Sequence, residues 1–262
     1  MSIKTDDGIN SGDSKITGGR AESLGHVGLH TEESEMRSVY DRWAESFEKD
    51  IEEDVKYVGH LSLAKVVQDY YYSEVDCLIS QATDDFNEVH ISSVKTKPTD
   101  GVDVLDIGAG TGLVATALVP FQFRRIDALD LSREMLAQAK SLGLYSRCIQ
   151  ASLNEPLPLD ECSYDLVVCA GTFTLGHVTA HCIPNVLKVM RPGALFVFGV
   201  REDLMETDEL KNFYGFPHFL NQLEKETQLK VEERRDNMPY HLLAGKSFNK
   251  PLHHTIFVCR RI

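Results

Sequence analysis

In the first part of this chain, apolar residues recur at the spacing of a helix. Met36, Tyr40, Trp43 and Phe47 recur at three- and four-residue intervals, which predicts that they share one face of a helix. A second helical stretch is predicted over about 55–80, with a break near residue 59. The first part of the chain is therefore predicted to be helical.

Short apolar runs separated by helix-compatible segments come next. The runs lie at 102–107, 125–130, 145–151, 165–170 and 194–200. Apolar strands that alternate with helices are typical of a parallel sheet that is covered by helices on both faces. We therefore predict an α/β fold with a doubly wound, mostly parallel, Rossmann-like sheet.

The end of the chain has a different pattern. Two more strand-like runs, at 229–235 and 255–260, are joined by a long segment in which no helix is predicted. Two neighbouring strands without a crossover helix pair antiparallel. We therefore expect the sheet to end in an antiparallel β-hairpin.

The first residues have neither pattern. Residues 1–33 are rich in Gly, Ser, Thr and Asp and lack periodicity, which predicts a disordered tail. The remainder, 34–262, is expected to form one domain, with N-terminal helices over 34–98 and the sheet over 99–262.

Composition narrows the possible partners and the compartment. The chain has 27 basic and 40 acidic residues, a formal net charge of −13, whereas nucleic-acid binding depends on Lys and Arg that displace counterions. A small molecule or a basic protein segment is therefore a better match than nucleic acid. The six cysteines include no C-x-x-C pair, and no apolar run approaches the length of a membrane span. We expect a reducing, cytoplasmic setting and no membrane association.

The most informative segment is a strand that runs into three alternating glycines and then into a helix. Gly108, Gly110 and Gly112 have no Cβ, so the turn can adopt positive φ and let a ligand lie against its backbone. Asp130 ends the next predicted strand, at the spacing where an acid accepts hydrogen bonds from both hydroxyls of a ribose. The pair indicates a site for a nucleoside-containing cofactor.

Two classes of cofactor use such a pair. Dinucleotide sites usually have the spacing G-x-G-x-x-G, whereas these glycines fall as G-x-G-x-G and Leu113 occupies the sixth place. An acid, Asp106, also precedes the first glycine by two residues. These features disfavour a nicotinamide-dependent oxidoreductase, which stays open as an alternative.

Four segments resemble, in the right order, the motifs of class I S-adenosylmethionine-dependent methyltransferases. They are motif I at 106–112 (DIGAGTG), motif II at 129–136 (LDLSREML), the fourth-strand motif at 164–169 (YDLVVC) and the turn before strand five at 189–194 (VMRPGA). Three more segments are similar to one group in this family, the methyltransferase-like proteins of the Williams–Beuren chromosomal region: 40–48 (YDRWAESFE), 153–158 (LNEPLP) and 170–178 (AGTFTLGHV).

The resemblance implies that the cofactor is S-adenosyl-L-methionine. It assigns the cofactor site to Tyr40, Asp106, Gly108, Ala109, Gly110, Gly112, Asp130, Leu131, Met135, Ser152, Leu153 and Ala170. The glycines would wrap the methionine end and the adenosine, with Asp106 near the amino group, and Asp130 would hold the ribose hydroxyls. Tyr40 would close the site from the N-terminal helices, which are expected to cap it.

The adenine contacts implied by the resemblance depart from the family pattern. Leu131 and Met135 would pack beside the adenine. The family often has an acid after strand three that accepts a hydrogen bond from the adenine amine, but Leu153 occupies that place here. The Leu153 backbone N–H and apolar contact would hold the adenine instead, with Ser152 adjacent.

The implied reaction is methyl transfer to an oxygen, nitrogen or carbon nucleophile. The Asn-Pro-Pro-Tyr type motif of amide and adenine N-methyltransferases is absent, and so is the Pro-Cys nucleophile of cytosine C5 enzymes. Together with the negative charge, these absences favour a small-molecule or protein acceptor. Positioning supplies most of the advantage in such a displacement. His177 is the candidate for a catalytic residue, Tyr240, His253, His254 and Glu202 are candidates for an acceptor pocket, and no metal site is expected. A non-catalytic cofactor-binding protein is a further alternative.

Overall fold

The computed structural model describes residues 28, 30–82, 99, 101–244 and 250–262, with the backbone alone for 72–82. The predicted disordered tail lies outside the described residues except for its last positions. Glu33, the final residue of that prediction, already belongs to a helix.

Three helices precede the sheet: α1 Glu33–Trp43, α2 Phe47–Asp54 and α3 Gly59–Ala82. Met36 and Trp43 are buried along α1, as their spacing predicts. The helical stretch predicted from residue 55 begins instead at Gly59. The residues just before it form a connection in which Tyr57 pairs with His241 in an isolated antiparallel bridge.

The strands are β1 Asp103–Ile107, β2 Arg125–Asp130, β3 Arg147–Gln150, β4 Tyr164–Phe173, β5 Met190–Arg201, β6 Leu229–Pro239 and β7 His253–Arg261. They form one sheet in the order β3-β2-β1-β4-β5-β7-β6. The first five strands pair in parallel, and β7 pairs antiparallel with both β5 and β6. The predicted parallel sheet and its antiparallel end are confirmed.

The remaining helices are α4 Leu113–Leu118, α5 Arg133–Ser141, α6 Ile183–Val189, α7 Asp208–Tyr214 and α8 Phe216–Lys225. Ser132 caps α5, because its Oγ accepts a hydrogen bond from the Met135 backbone N–H at 3.1 Å. Helices α7 and α8, which lie between β5 and β6, were not predicted from the sequence. Helix α8 buries Phe216, Leu220 and Leu223, a spacing that is typical of one helix face.

The two faces of the sheet pack against different helices. Leu105 and Val167 face the layer that contains α6, α7 and α8, whereas their neighbours Val104 and Leu166 face the layer of α3 and α4. Successive residues of a strand point to opposite faces, so strands buried on both sides must be apolar throughout. None of the helices in the described ranges is long and apolar enough to cross a membrane.

Candidate active site

A cavity of about 650 Å³ opens at the carboxyl ends of β1, β2 and β4, opposite α1 and α2. Most of the predicted cofactor residues line it: Tyr40, Gly108, Ala109, Gly110, Asp130, Leu131, Met135, Ser152, Leu153 and Ala170. The catalytic candidate His177 lines it as well. The other two predicted residues, Asp106 and Gly112, lie outside the cavity wall.

The three glycines of the turn have different environments. Their φ angles are +66° at Gly108, +54° at Gly110 and +103° at Gly112, a conformation that favours glycine. A Cβ on Gly108 would collide with the side chain of Thr172, and one on Gly112 would lie 2.6 Å from Leu142. A Cβ on Gly110 would have no neighbour within 4 Å. Of the three glycines, Gly110 is therefore the one whose Cα faces open space that a ligand can fill.

Asp130, at the end of β2, holds this turn in place. Its Oδ2 accepts a hydrogen bond from the backbone N–H of Gly110 at 2.8 Å, and its Oδ1 accepts one from the backbone N–H of Ser132 at 2.8 Å. Burial raises the pKa of the Asp130 carboxyl, and the backbone N–H donors oppose that shift. A carboxylate has about four acceptor positions, so about two are left for a ligand.

Thr111 lies in the same turn and was not among the predicted site residues. It lines the cavity, it is 3% exposed, and its Oγ1 has no hydrogen-bond partner within the described residues. A buried hydroxyl without a partner is unfavourable, which points to a ligand group that bonds it. The glycine pattern gave no signal for Thr111 because it falls at a variable position between two glycines.

Asp106 lies behind the turn. Its Oδ2 accepts a hydrogen bond from the Tyr145 hydroxyl at 2.6 Å, and burial raises its pKa to about 7 despite that bond. Its Oδ1 has no partner in the described part of the chain. Contact between Asp106 and a cofactor amino group stays a prediction.

At one end of the cavity, apolar side chains lie beside the carboxylate of Glu33. Met135 and Leu153 are buried there. Glu33, the first residue of α1, reaches this end, and its Oε2 accepts hydrogen bonds from Ser152 Oγ at 2.6 Å and Asn154 Nδ2 at 2.7 Å. A carboxylate from another part of the chain therefore lies next to the place where Leu153 replaces the family's acid.

The predicted boundary of the disordered tail falls among residues that line the cavity. Thr31, Glu32 and Glu33 line the cavity, and the ring of His30 lies 5.6 Å from that of Phe213. The last residues of the predicted tail thus contribute to the site. The low periodicity of the segment gave no signal for this role.

Tyr40 and His177 join α1 to the loop after β4. His177 Nδ1 lies 2.9 Å from the Leu175 carbonyl oxygen, which can only accept, so Nδ1 carries the hydrogen. The Tyr40 hydroxyl therefore donates to His177 Nε2 at 2.7 Å. Burial lowers the pKa of His177 to about 4, so the ring is neutral at pH 7. In this arrangement the basic lone pair of His177 is already engaged by Tyr40.

The opposite end of the cavity is formed by Tyr57, His60, Arg201, Tyr240 and His241. Tyr240 lies there, as the sequence analysis suggested. Tyr57 and His60 were missed, because they fall at the break between two predicted helices and follow no motif.

The other candidates for an acceptor pocket lie elsewhere. Glu202 Oε1 accepts a hydrogen bond from the Asn237 backbone N–H at 2.6 Å. His254 is fully buried in the sheet, and neither of its ring nitrogens has a partner within the described residues. Neither these two residues nor His253 lines the cavity. The same ranges contain no group of three or more His, Cys, Asp or Glu side chains that could hold a metal ion.

Comparison with known proteins agrees with this geometry. Residues 104–193 match the family described as the methyltransferase domain. Methyltransferase-like protein 27 of Homo sapiens is 32% identical over 163 residues, which are 62% of this chain and 56% of that protein. Demethylluteothin O-methyltransferase of Streptomyces thioluteus is 34% identical over 113 residues, 38% of this chain and 46% of that enzyme. The chain thus spans about half the length of the curated relatives it matches.

Two solved structures have the same fold. A chain in the complex between the Haloferax volcanii Trm112 methyltransferase activator and a methyltransferase aligns with a TM-score of 0.54 at 16% identity, covering 86% of this chain and 96% of that chain. A protein from Methanococcus maripaludis, described as an S-adenosyl-L-methionine-dependent methyltransferase, aligns with a TM-score of 0.50 at 13% identity, covering 86% and 92%. Residues 104–193 thus match the methyltransferase domain family, and the chain shares its fold with these two structures.

Proposed function

We propose that this protein transfers the methyl group of S-adenosyl-L-methionine to an oxygen, nitrogen or carbon nucleophile of a small-molecule or protein acceptor. One observation carries the proposal: the open backbone of Gly110, the remaining acceptor positions of Asp130 and the unpartnered hydroxyl of Thr111 face a single cavity. These groups fit the ribose and the methionine part of the cofactor.

The cofactor, when bound, supplies an electrophilic methyl group: its S–CH3 bond breaks, a bond from that methyl to the acceptor forms, and S-adenosylhomocysteine is left, with a proton released from an O–H or N–H acceptor. The residues of the chain bind and orient the reactants. Asp130 accepts hydrogen bonds from the ribose hydroxyls, and Thr111 donates to the carboxylate of the methionine part.

Glu33 takes the part of the missing adenine acid in this proposal. Its Oε2 is held by Ser152 and Asn154, which leaves its Oε1 to accept a hydrogen bond from the adenine amine. Met135 and Leu153 pack against the ring, and apolar surroundings strengthen the bond by excluding water. Because Glu33 begins α1, cofactor binding and the position of α1 are coupled.

His177 acts as a positioning residue in this proposal rather than as a general base. Its neutral ring accepts the Tyr40 hydrogen bond, which holds α1 over the cavity. Holding the two reactants together supplies most of the rate advantage of an in-line displacement.

A cytoplasmic setting is part of the proposal. The cysteines whose side chains the structure describes are all free: Cys148, Cys162, Cys169, Cys182 and Cys259. Unpaired thiols are typical of reducing compartments.

Calorimetric titration tests the cofactor. S-adenosylhomocysteine is expected to bind at a ratio of one to one, and NAD is expected not to bind. Binding of NAD alone would favour the nicotinamide-dependent oxidoreductase, and binding of neither would reject the cofactor site altogether.

A further inference from the structure

The second end of the cavity, here called the acceptor end, consists of Tyr57, His60, Arg201, Tyr240 and His241. Three segments that are far apart in sequence build it: the connection before α3 with the start of that helix, the end of β5, and the residues after β6. The bridge between Tyr57 and His241 joins the first of them to the last. None of these residues belongs to the glycine turn or to the end of the cavity at Met135 and Leu153, where the proposed function puts the adenine. The acceptor end is thus a part of the cavity that the proposed cofactor contacts do not use.

Aromatic rings dominate this end. Tyr57 meets Tyr240 edge to face, with ring centroids 5.0 Å apart and an interplanar angle of 78°. The rings of His60 and Tyr57 are 5.3 Å apart, and those of His241 and Tyr240 are 4.6 Å apart. Clusters of this kind favour a further aromatic ring in edge-to-face or offset contact. A flat aromatic ligand therefore suits the acceptor end better than a flexible aliphatic one.

The two tyrosine hydroxyls lie close to Gly171, near the carboxyl end of β4. A Cβ built on Gly171 would be 3.0 Å from the Tyr57 hydroxyl oxygen and 3.7 Å from that of Tyr240. Gly171 is followed by Thr172, whose side chain packs on Gly108 of the glycine turn. A group that bonds these hydroxyls is thus held beside the turn that binds the cofactor.

Three of the residues that form the acceptor end, Tyr57, His60 and Arg201, carry no uncommitted formal charge. Arg201 is neutralised by Asp203: its Nε donates to Oδ1 at 2.8 Å, its Nη2 donates to Oδ2, and its Nη1 donates to Thr174 Oγ1 at 3.1 Å. Burial lowers the pKa of His60 to about 4 and raises that of Tyr57, so both side chains are neutral at pH 7. A charged acceptor would lose hydration here without gaining a counter-ion.

We infer that the methyl acceptor is a small uncharged aromatic molecule, a phenol or an aromatic heterocycle, whose ring carries the nucleophilic O–H or N–H. This inference rests on the proposed function. The ring packs against Tyr57 and Tyr240, and its O–H or N–H bonds their hydroxyls beside Gly171. In the transfer, a bond forms from the ring heteroatom to the methyl carbon while the S–CH3 bond breaks, and the heteroatom's proton passes to water. The cavity of about 650 Å³ must hold the cofactor as well, which leaves room for a small acceptor.

Three probes of similar size test this on the full chain saturated with S-adenosylhomocysteine. They are 2-naphthol, the anion 2-naphthoate, and decahydro-2-naphthol, which keeps the hydroxyl but lacks the aromatic ring. Calorimetry is expected to give 2-naphthol an affinity at least about tenfold higher than either of the others. Tyr240→Leu should weaken 2-naphthol binding about tenfold. Tyr57→Phe, which keeps the ring, should weaken it about two- to twelvefold through the lost hydrogen bond.

Tyr70→Leu is the matched control, because the Tyr70 hydroxyl bonds Glu232 and the residue lies outside the cavity wall. It should leave 2-naphthol binding unchanged. Equal affinity for 2-naphthoate or decahydro-2-naphthol would overturn the inference, and so would a chain that binds S-adenosylhomocysteine but not 2-naphthol. The comparison of the three probes uses the parent chain, so it tests the inference even if a tyrosine variant fails to fold. Failure to bind S-adenosylhomocysteine would instead refute the proposed function, and this inference with it.

Discussion

Replacing Asp130 by Asn tests two roles of one carboxylate: holding the glycine turn, which the structure shows, and binding the ribose, which is proposed. Its two oxygens already accept the backbone N–H groups of Gly110 and Ser132, and the proposed function adds two ribose hydroxyls. An amide has one acceptor oxygen and presents an NH₂ donor in place of the other. Asp130→Asn therefore loses one of the two backbone hydrogen bonds and at least one of the two ribose bonds.

The size of each loss follows from the charge of the group. A hydrogen bond to a charged group is worth about 1.5–3 kcal/mol. Loss of one ribose bond should weaken S-adenosylhomocysteine binding roughly 10- to 150-fold. Loss of one backbone bond should lower the unfolding temperature by about 3–12 °C. Calorimetry measures the first effect, and thermal unfolding without ligand measures the second.

Glu134→Gln is the matched control. Glu134 is exposed on α5, four residues after Asp130, and it lies outside the cavity wall. The variant should match the parent in both measurements. If Asp130→Asn binds S-adenosylhomocysteine as tightly as the parent, the ribose assignment is wrong; if its stability alone is unchanged, the reasoning about the backbone bonds is wrong.

Three further substitutions have expected outcomes. Glu33→Gln should weaken S-adenosylhomocysteine binding about tenfold or more by calorimetry, because an amide is a poorer acceptor for the adenine amine than a carboxylate; unchanged affinity would remove Glu33 from the site. Tyr40→Phe should weaken the same binding about two- to twelvefold through loss of the bond to His177, and tighter binding would contradict its role in closing the cavity. His254→Leu should move acid unfolding to lower pH without loss of stability at pH 7. Burial lowers the pKa of His254 to about 3, below its ordinary value of 6.5, so its contribution to the free energy of unfolding is present above pH 6.5 and is lost as pH falls toward 3. An acid midpoint of unfolding that is unchanged in His254→Leu would refute this, and exposed His218→Leu is the control.

The parts of the fold and site that the sequence predicts are those with local causes. The strands are apolar on both faces because helices cover both sides of the sheet, so their runs are visible without alternation. The glycine turn and the Ser132 cap each depend on the backbone conformation of a few adjacent residues. Asp130 is predicted for the same reason, since it ends a strand that lies beside the turn.

The parts that sequence reasoning missed depend on contacts between distant segments. Tyr57 comes to the cavity through its bridge to His241, and neither residue has a periodic or motif context. Glu33 reaches the apolar end of the cavity because α1 docks near Ser152 and Asn154, which its position at the edge of an aperiodic tail does not indicate.

Asp106 illustrates the limit of a motif. The motif fixes its distance from the glycines along the chain. The direction of its side chain depends on which face of the strand it lies on and on the hydrogen bond from Tyr145, 39 residues away.

The central claim is that the cavity supports methyl transfer and does not merely bind the cofactor. The most direct measurement incubates the full chain with S-adenosylmethionine labelled in its methyl group, together with the small-molecule and the protein fraction of a cell extract. We expect label in an uncharged aromatic product of the small-molecule fraction, and we expect it to be strongly reduced with Asp130→Asn at limiting cofactor. Transfer to neither fraction by a chain that binds S-adenosylhomocysteine would contradict the claim and identify a non-catalytic cofactor-binding protein.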